Sequence, residues 1–434
     1  MDDNQAVYQV SREITNVAEP SEPTLTSFDI DWWELLTDPE FLGHPYPELN
    51  RIRDLAPIHY DSVSGIYFVL GYYEFRDLAT APELGRDVRY WSNSWSSPEN
   101  KAREPETYEL FTQFQPQMIN VNPPDHTRMR NVYERAFRRD KIAETTAMIE
   151  VECQALLDTL PLDTPFNYMT TFANLLPLHV ALNLFEMPKT MTSKVAEWIS
   201  ALSWLGNIIV TQEQKKAARV AQDEFTAYVR EILFSPERDS FPKDGFIGLT
   251  ISALENGVMN EEEAINNVAM LISGNKTTPS LLGNGLLTLL KHPEQLDKLR
   301  ANRSLLRNTV EEMLRYEPGS SIIPRAAVSD IKIGDVLIPA SSLCIGLVGG
   351  VTRDPAYFKD PDVFDITRIP SAHLVFGRGP HVCIGKELAR LVAEVTLTAL
   401  MDQFSSVELA GKPEWRTDRS DQHELNALPL QLSK

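Results

Sequence analysis

The sequence predicts a mainly α protein with a small β-rich lobe. Three observations carry this. Helix-period apolar spacing dominates the middle of the 434-residue chain. The strand-like patterns are few and short, and they sit far apart, near residue 60 and near residue 335. The composition is that of an ordinary globular protein, 43% hydrophobic and 24% charged, and no stretch reaches the ~20 apolar residues that a membrane span requires.

In chain order, residues 1–25 read as a flexible polar arm and 26–434 as a single domain. The N-terminus lacks the basic start and apolar core of a signal peptide. Residues 58–60 and 66–70 read as short strands around a turn at 62–65. Residues 142–159, 193–234, 261–291 and 307–316 carry helical apolar spacing. Asn260 is placed to cap the third of these, with Glu261, Glu262 and Glu263 at its positive end. Ile331–Ile333 and Val336–Ile338, joined by Gly334-Asp335, read as a hairpin. The separated β segments are expected to pair into one mixed sheet. Residues 352–380 form a long irregular stretch, and loops of that length usually carry function. A final helix is expected from near Ile384.

Charge and cysteine content narrow the class. Acidic residues outnumber basic ones 61 to 41, a net charge of -20, which argues against the broadly basic surface that nucleic-acid binding wants. The three cysteines, Cys153, Cys344 and Cys383, are too sparse for a disulfide framework, so the expected compartment is a reducing cytoplasm.

One cysteine stands in an unusual frame: Phe376-Gly377-Arg378-Gly379-Pro380-His381-Val382-Cys383-Ile384-Gly385. Two glycines and a proline make a tight loop that feeds a helix. A thiol at a helix start meets free N–H groups and the positive dipole end, which favour thiolate. Such a thiolate is a nucleophile or a metal ligand. No C-x-x-C partner exists, which argues against zinc and iron–sulfur sites. Cys153 and Cys344 read as buried structural thiols.

The ten-residue segment resembles the haem-ligand loop of the cytochrome P-450 family, F-G-x-G-x-H/R-x-C-x-G, at every fixed position. Four further motifs stand in the family's order: His126 to Arg130 as H-x-x-x-R, residues 273–278 where the family has A/G-G-x-D/E-T-T, Glu312 and Arg315 as E-x-x-R, and Asp354 to Arg368 as D-P-x-x-F…P-x-x-F…R. The resemblance implies the P-450 fold and a haem b whose iron is held by Cys383 as axial thiolate. His126, Arg130, Arg325 and His381 fall at the family positions that meet the haem propionates. Phe376 and Gly377 belong to the ligand loop. Glu312 and Arg315, three apart on one helix face, are expected to reach Arg368 and lock that loop.

Residues 261–291 are implied to cross the distal haem face, with a kink at Pro279. Gly274 would let a ligand approach, and Thr277 would offer a hydroxyl where dioxygen is handled. The chain departs from the family at Lys276, which replaces the usual acid. An ammonium donates only and cannot copy a carboxylate. Three readings stay open: Lys276 is inert, it relays protons with a lowered pKa, or it binds a substrate carboxylate. The last is favoured, because a cation in an apolar pocket is expensive without an anion.

Between His126 and Lys141 six basic residues meet two acidic ones, a balance of +4. On the implied cysteine side of the haem, Arg128, Arg135, Arg138 and Arg139 would dock an acidic ferredoxin-type donor. The implied pocket segments, residues 90–118, 198–210, 271–277, 322–323 and 427–428, are mainly apolar apart from the first. The resemblance implies insertion of one oxygen atom from O2, and the apolar segments suit an apolar small molecule, terpenoid, steroid or fatty-acid-like. A peroxide-driven enzyme and a non-catalytic haem-thiolate binding protein are the alternatives. No nucleic acid or membrane is expected as a partner, and the expected state is a monomer.

Overall fold

The computed structural model describes residues 30–369 and 371–434. The arm expected at residues 1–25 lies outside the described residues. The rest is mainly helical, with a β-rich lobe built from both ends of the chain.

The lobe's main sheet contains β1 (Ile58–Asp61), β2 (Ile66–Val69), β3 (Leu84–Gly85), β4 (Ile322–Ala327) and β7 (Leu343–Leu347). β1 and β2 pair antiparallel with Ile58 opposite Val69. β2 runs parallel to β7, with Ile66 opposite Leu343, and β7 runs antiparallel to β4. The spatial order is β1-β2-β7-β4-β3. The two central strands, IYFV and LCIGL, are buried along their whole length, as continuous apolar runs require. Pro324 sits inside β4, where β3 does not reach. β3 pairs only with Ala326 and Ala327, so the missing N–H leaves no bond unmade.

The hairpin β5 (Ile331–Ile333) and β6 (Val336–Ile338) forms as read, turning on Gly334 at φ 56°. It does not join the mixed sheet, contrary to expectation. It stands alone as a two-stranded unit. Its three-residue strands turn Ile333 and Ile338 inward and leave Lys332 and Leu337 exposed, and β4 and β7 complete the larger sheet instead.

The helices that position the site are α1 (Asp125–Glu134), α2 (Arg139–Ala143), α3 (Thr192–Ser203), α4 (Gln212–Phe234), α5 (Glu261–Ser273), α6 (Thr278–Lys291), α7 (Leu306–Tyr316) and α8 (Lys386–Gln403). The span 142–159 is shorter than read, a helix at Thr146–Leu157. The span 193–234 is two helices, not one. Residues 204–211 leave the helical path around Gly206 and Asn207. α4 then starts afresh in a capping box: Thr211 accepts from Gln214 N at 3.2 Å and donates its own N–H to Gln214 Oε1 at 2.9 Å.

Asn260 caps α5 as expected, accepting from Glu263 N at 2.9 Å. The break that follows comes earlier than Pro279. A 3₁₀ turn, Gly274–Thr277, separates α5 from α6, and Pro279 sits in the first turn of α6, where its missing N–H costs nothing. α6 is buried on nearly every side, so the two helices run through the core with an irregular turn between them.

α7 carries the predicted ion pair. Arg315 meets Glu312 through two bonds of 2.7 Å, and both are almost fully buried. Arg368 reaches Glu312 Oε1 at 3.2 Å. The remaining Arg315 donors go to the carbonyls of Thr352, Pro361 and Val363. This network holds the irregular stretch in place. Removing one partner would strand a buried charge, a loss of ~3–5 kcal/mol.

Candidate active site

The loop before α8 is shaped by glycine. Gly377 and Gly379 lie in the left-handed region, at φ 69° and 74°. A Cβ on Gly379 would come within 2.7 Å of the Ala79 carbonyl oxygen, so only glycine fits. Cys383 N donates to Phe376 O at 2.8 Å and folds the loop back on itself. α8 begins at Lys386, so Cys383 lies in the turn ahead of the helix and not at its first residue. Burial pushes its thiol up, against the Gly385 N–H, Arg130 and Arg390, which act downward. The residue nevertheless keeps accessible surface. A thiol hemmed in by protein yet accessible faces an internal recess. A metal cation placed there would draw off its proton.

A second network, not read from the sequence, braces this loop. Val375 N donates to His373 Nδ1 at 3.2 Å, which leaves the proton on Nε2, facing Glu311 Oε2 at 3.0 Å. Arg390 of α8 holds Glu311 through bonds of 2.6 and 3.0 Å and stacks over the Phe376 ring at 4.7 Å. Burial works against the charge on Glu311, but His373 and Arg390 hold its carboxyl down at about 2.

The four residues expected at the propionates gather beside the same recess. The His126 and His381 rings lie 3.9 Å apart. His126 Nδ1 and His381 Nε2 are buried with no hydrogen-bond partner. Burial lowers both, His126 to about 4 and His381 to about 2, and each also feels the cation of Arg130. Arg325 is buried and bonds only the carbonyl of Pro324, at 2.9 Å. Arg86, unforeseen from the sequence, joins them. It reaches only the carbonyls of Ile119 and Pro324, and burial lowers it to about 10 and Arg325 to about 9. Among the described residues no carboxylate pairs with Arg86, Arg130 or Arg325. One buried and two half-buried guanidinium groups, with two orphaned imidazoles, make a site that lacks an ion-paired anion.

The turn between α5 and α6 carries the residues that the resemblance assigns to the distal side. Gly274 is exposed, and a Cβ there would meet nothing within 4 Å. Ser273 and Thr288 return their hydroxyls to their own helices, but the Thr277 hydroxyl makes no hydrogen bond among the described residues and remains available. Lys276 corrects the favoured reading. Its Nζ meets Asp421 Oδ2 at 3.4 Å, and Arg419 holds that carboxylate through bonds of 2.9 and 3.0 Å. The anion beside Lys276 is the protein's own, so the site needs no substrate carboxylate to satisfy it. Burial lowers the ammonium, with Asp421 acting in the opposite direction.

These parts fit a haem: one thiol open to the recess for the iron, unpaired cations for two propionates, and open space at Gly274. Among the described residues no cluster of three or more His, Cys, Asp or Glu could hold an ion.

The basic segment is smaller than its count suggested. Arg128 is taken up by Glu263 at 2.7 and 2.9 Å, by Asp125 at 3.0 Å and by the Val258 carbonyl, so it is not free to meet a partner. Arg138 has Asp140 at 3.3 Å but stays exposed. Arg135 and Arg139 are exposed and have no ion pair among the described residues. α2 packs against α8, the helix that follows Cys383. Among the described residues no helix is long and apolar enough to cross a membrane.

Comparison with known proteins agrees with this geometry. The family model described as Cytochrome P450 matches residues 92–432. The biotin biosynthesis cytochrome P450 of Bacillus subtilis (strain 168) is 33% identical over 381 residues, covering 87% of this chain and 93% of that protein. The cytochrome P450 monooxygenase PikC of Streptomyces venezuelae is 30% identical over 382 residues, 86% of this chain and 87% of that one. The crystal structure of P450BioI in complex with an acyl carrier protein ligated to hexadec-9Z-enoic acid superposes with a TM-score of 0.82 at 29% identity, covering 91% of this chain and 100% of that chain.

Proposed function

The chain belongs to the cytochrome P450 family, and on that premise we propose that it oxidises an elongated apolar molecule of the fatty-acyl type with electrons from a separate ferredoxin-type donor. Family members are haem-dependent monooxygenases. Bound haem supplies the activation of dioxygen, which thiolate ligation favours. Everything else falls to this chain's own residues.

Cys383 would offer its sulfur to the iron, and the Glu311–His373–Arg390 brace holds the start of the loop that carries it. His126, Arg130, Arg325 and His381, joined by Arg86, would hold the two propionates, the imidazoles as hydrogen-bond donors and the three guanidinium groups as cations whose repulsion the propionates would relieve. Phe376, under Arg390, forms part of the cradle. Gly274 keeps the distal side open, and the free Thr277 hydroxyl holds a proton at Oγ1 where oxygen is reduced. The observation that carries this reading is an accessible Cys383 thiol near cations that have no ion-paired carboxylate among the described residues.

The substrate class rests on two supports. Ile322 and Ile323 of β4 and Ala427 are only half-buried apolar side chains in segments implied to line the pocket, and an apolar lining suits a lipophilic chain. Two of the similar proteins support the acyl chain: one is titled for biotin biosynthesis and one solved neighbour holds a hexadecenoyl-carrier protein. For electron delivery, Arg135, Arg138 and Arg139 beside α8 form the docking face for an acidic donor.

The test is a titration of the ferric holoprotein with hexadec-9-enoic acid, free and thioester-linked to acyl carrier protein, beside a steroid and a terpenoid. Displacement of haem-bound water by the acyl chain, followed by hydroxylated product with a ferredoxin and its reductase, is the expected result. A response only to the steroid or terpenoid would overturn the acyl reading. Product with hydrogen peroxide but none with the ferredoxin would overturn the donor reading in favour of a peroxide-driven enzyme.

A further inference from the structure

Lys276 belongs to a chain of contacts that leaves the distal turn and ends on the segment joining α3 to α4. Lys276 Nζ meets Asp421 Oδ2 at 3.4 Å. Arg419 grips both oxygens of Asp421, and its other donors go to Ser203 Oγ at 2.7 Å and Ser203 O at 2.8 Å. The neighbouring Ser420 receives the N–H of Ile208 at 3.2 Å, and its own N–H goes to Asn207 Oδ1 at 2.9 Å. Asn207 Nδ2 reaches the Asp418 carbonyl. Arg416 and Arg419 both lie over the Trp204 ring, at 5.6 and 5.4 Å. Residues 203–208 are thus strapped to residues 416–421, and Lys276 stands beneath the strap.

Gly206 adds an independent observation. A Cβ there would lie 2.5 Å from Asp421 Oδ2 and 3.5 Å from Lys276 Nζ. The φ of Gly206 is not in the left-handed region, so what calls for glycine is the close approach of the strap to this carboxylate. Arg419, Ser420 and Asp421 are all almost fully buried, which is an unusual concentration of polar groups for a surface connection. The further charges facing the cluster are one cation and two acids, Arg416 pairing with Asp418 at 3.2 Å and with Glu424 at 3.1 Å, and together they offset the excess cation of Lys276, Arg419 and Asp421. The cluster has no surplus charge to offer a substrate.

We propose that Lys276 is a positioning residue that ties the break in the distal helix, through Asp421 and Arg419, to the strap over residues 203–208, so that opening the strap and remodelling the distal turn are one event. An acid at position 276 would face Asp421 with like charge and push the strap away. The lysine is therefore the residue type the strap needs. The proposal goes beyond the acyl reading and holds whatever the substrate is.

The test is hydrogen exchange on the holoprotein, with stopped-flow binding of imidazole to the ferric haem. Lys276→Met keeps the Arg419–Asp421 pair, so the fold persists, and exchange in peptides covering 203–211 and 416–421 should rise several-fold while α7 is unchanged. Imidazole should enter and leave several-fold faster, with little change in Kd. Lys276→Arg should restore both. Gly206→Ala should reproduce the Lys276→Met pattern by displacing Asp421. Asp421→Asn should loosen the strap further, and adding Lys276→Met to it should change nothing more. Unchanged exchange in Lys276→Met alongside loosening in Asp421→Asn would overturn the proposal. So would a Lys276→Met protein that binds hexadec-9-enoic acid more weakly but its methyl ester equally well, since that pattern belongs to a substrate anchor.

Discussion

Replacing Glu311 by Gln should cost the protein stability through a charge that lies outside the matched family motifs. The carboxyl titrates at about 2 in place of its ordinary 4.5. At 1.36 kcal/mol per tenfold, that difference is worth about 3 kcal/mol at neutral pH. Glu387 and Glu394 still pair with Arg307 and Arg390 in the variant, at 2.8 to 3.0 Å, so about 2–3 kcal/mol of loss is expected from denaturant unfolding at pH 7. The sign with pH follows from the depressed value. The stabilisation is complete above 4.5 and is lost as pH falls toward 2, because the unfolded chain takes up the proton first. At pH 4 the wild type should already have lost about 1 kcal/mol of this contribution, so the gap between the two proteins narrows. Arg390 also stacks on Phe376 and His373 anchors the start of the ligand loop, so Glu311→Gln should release haem faster. An unfolding midpoint equal to wild type at pH 7, or a gap that does not narrow at pH 4, would refute the argument.

Arg325→Met should lower haem affinity while leaving the haem-free protein as stable or more so, because a buried cation without an anion repels Arg86 beside it. A less stable apoprotein would mean that Arg325 already has a partner. Arg135→Glu combined with Arg139→Glu should slow reduction by an acidic ferredoxin without altering substrate affinity, and the difference should shrink as salt rises, since exposed charges are screened beyond ~8 Å at physiological ionic strength. Arg128→Glu should instead disturb the start of α5, where Arg128 meets Glu263, and show as a loss of thermal stability.

The parts of this protein legible in the sequence were those with local rules. Gly377 and Gly379 mark a left-handed turn wherever they stand, Asn260 with Glu263 announces a helix start, and Glu312 and Arg315 share a face by their spacing alone. The β5–β6 hairpin was equally readable, but its separation from the main sheet was not, because strand order is set by packing between distant segments. The division of residues 193–234 was in principle visible: Gly206-Asn207 weakens the helix, and Thr211 with Gln214 restarts it. Arg86 and the pairs Glu311–His373 and Lys276–Asp421 leave no periodic mark. The two pairs join residues 62 and 145 positions apart and Arg86 reaches the Pro324 carbonyl 238 positions away, and only the fold brings them together. The basic count from His126 to Lys141 misled for a related reason. Charge per residue is local, but Arg128 is neutralised by Glu263, 135 positions away.

The central claim is that Cys383 is the sulfur that holds a haem iron in this recess. The most direct measurement is the difference spectrum of the reduced, carbon monoxide-treated protein for the wild type, Cys383→Ser and Cys153→Ser. The thiolate-type band should be present in the wild type and in Cys153→Ser, whose residue is buried in the core, and absent in Cys383→Ser. An unchanged thiolate-type band in Cys383→Ser would contradict the account.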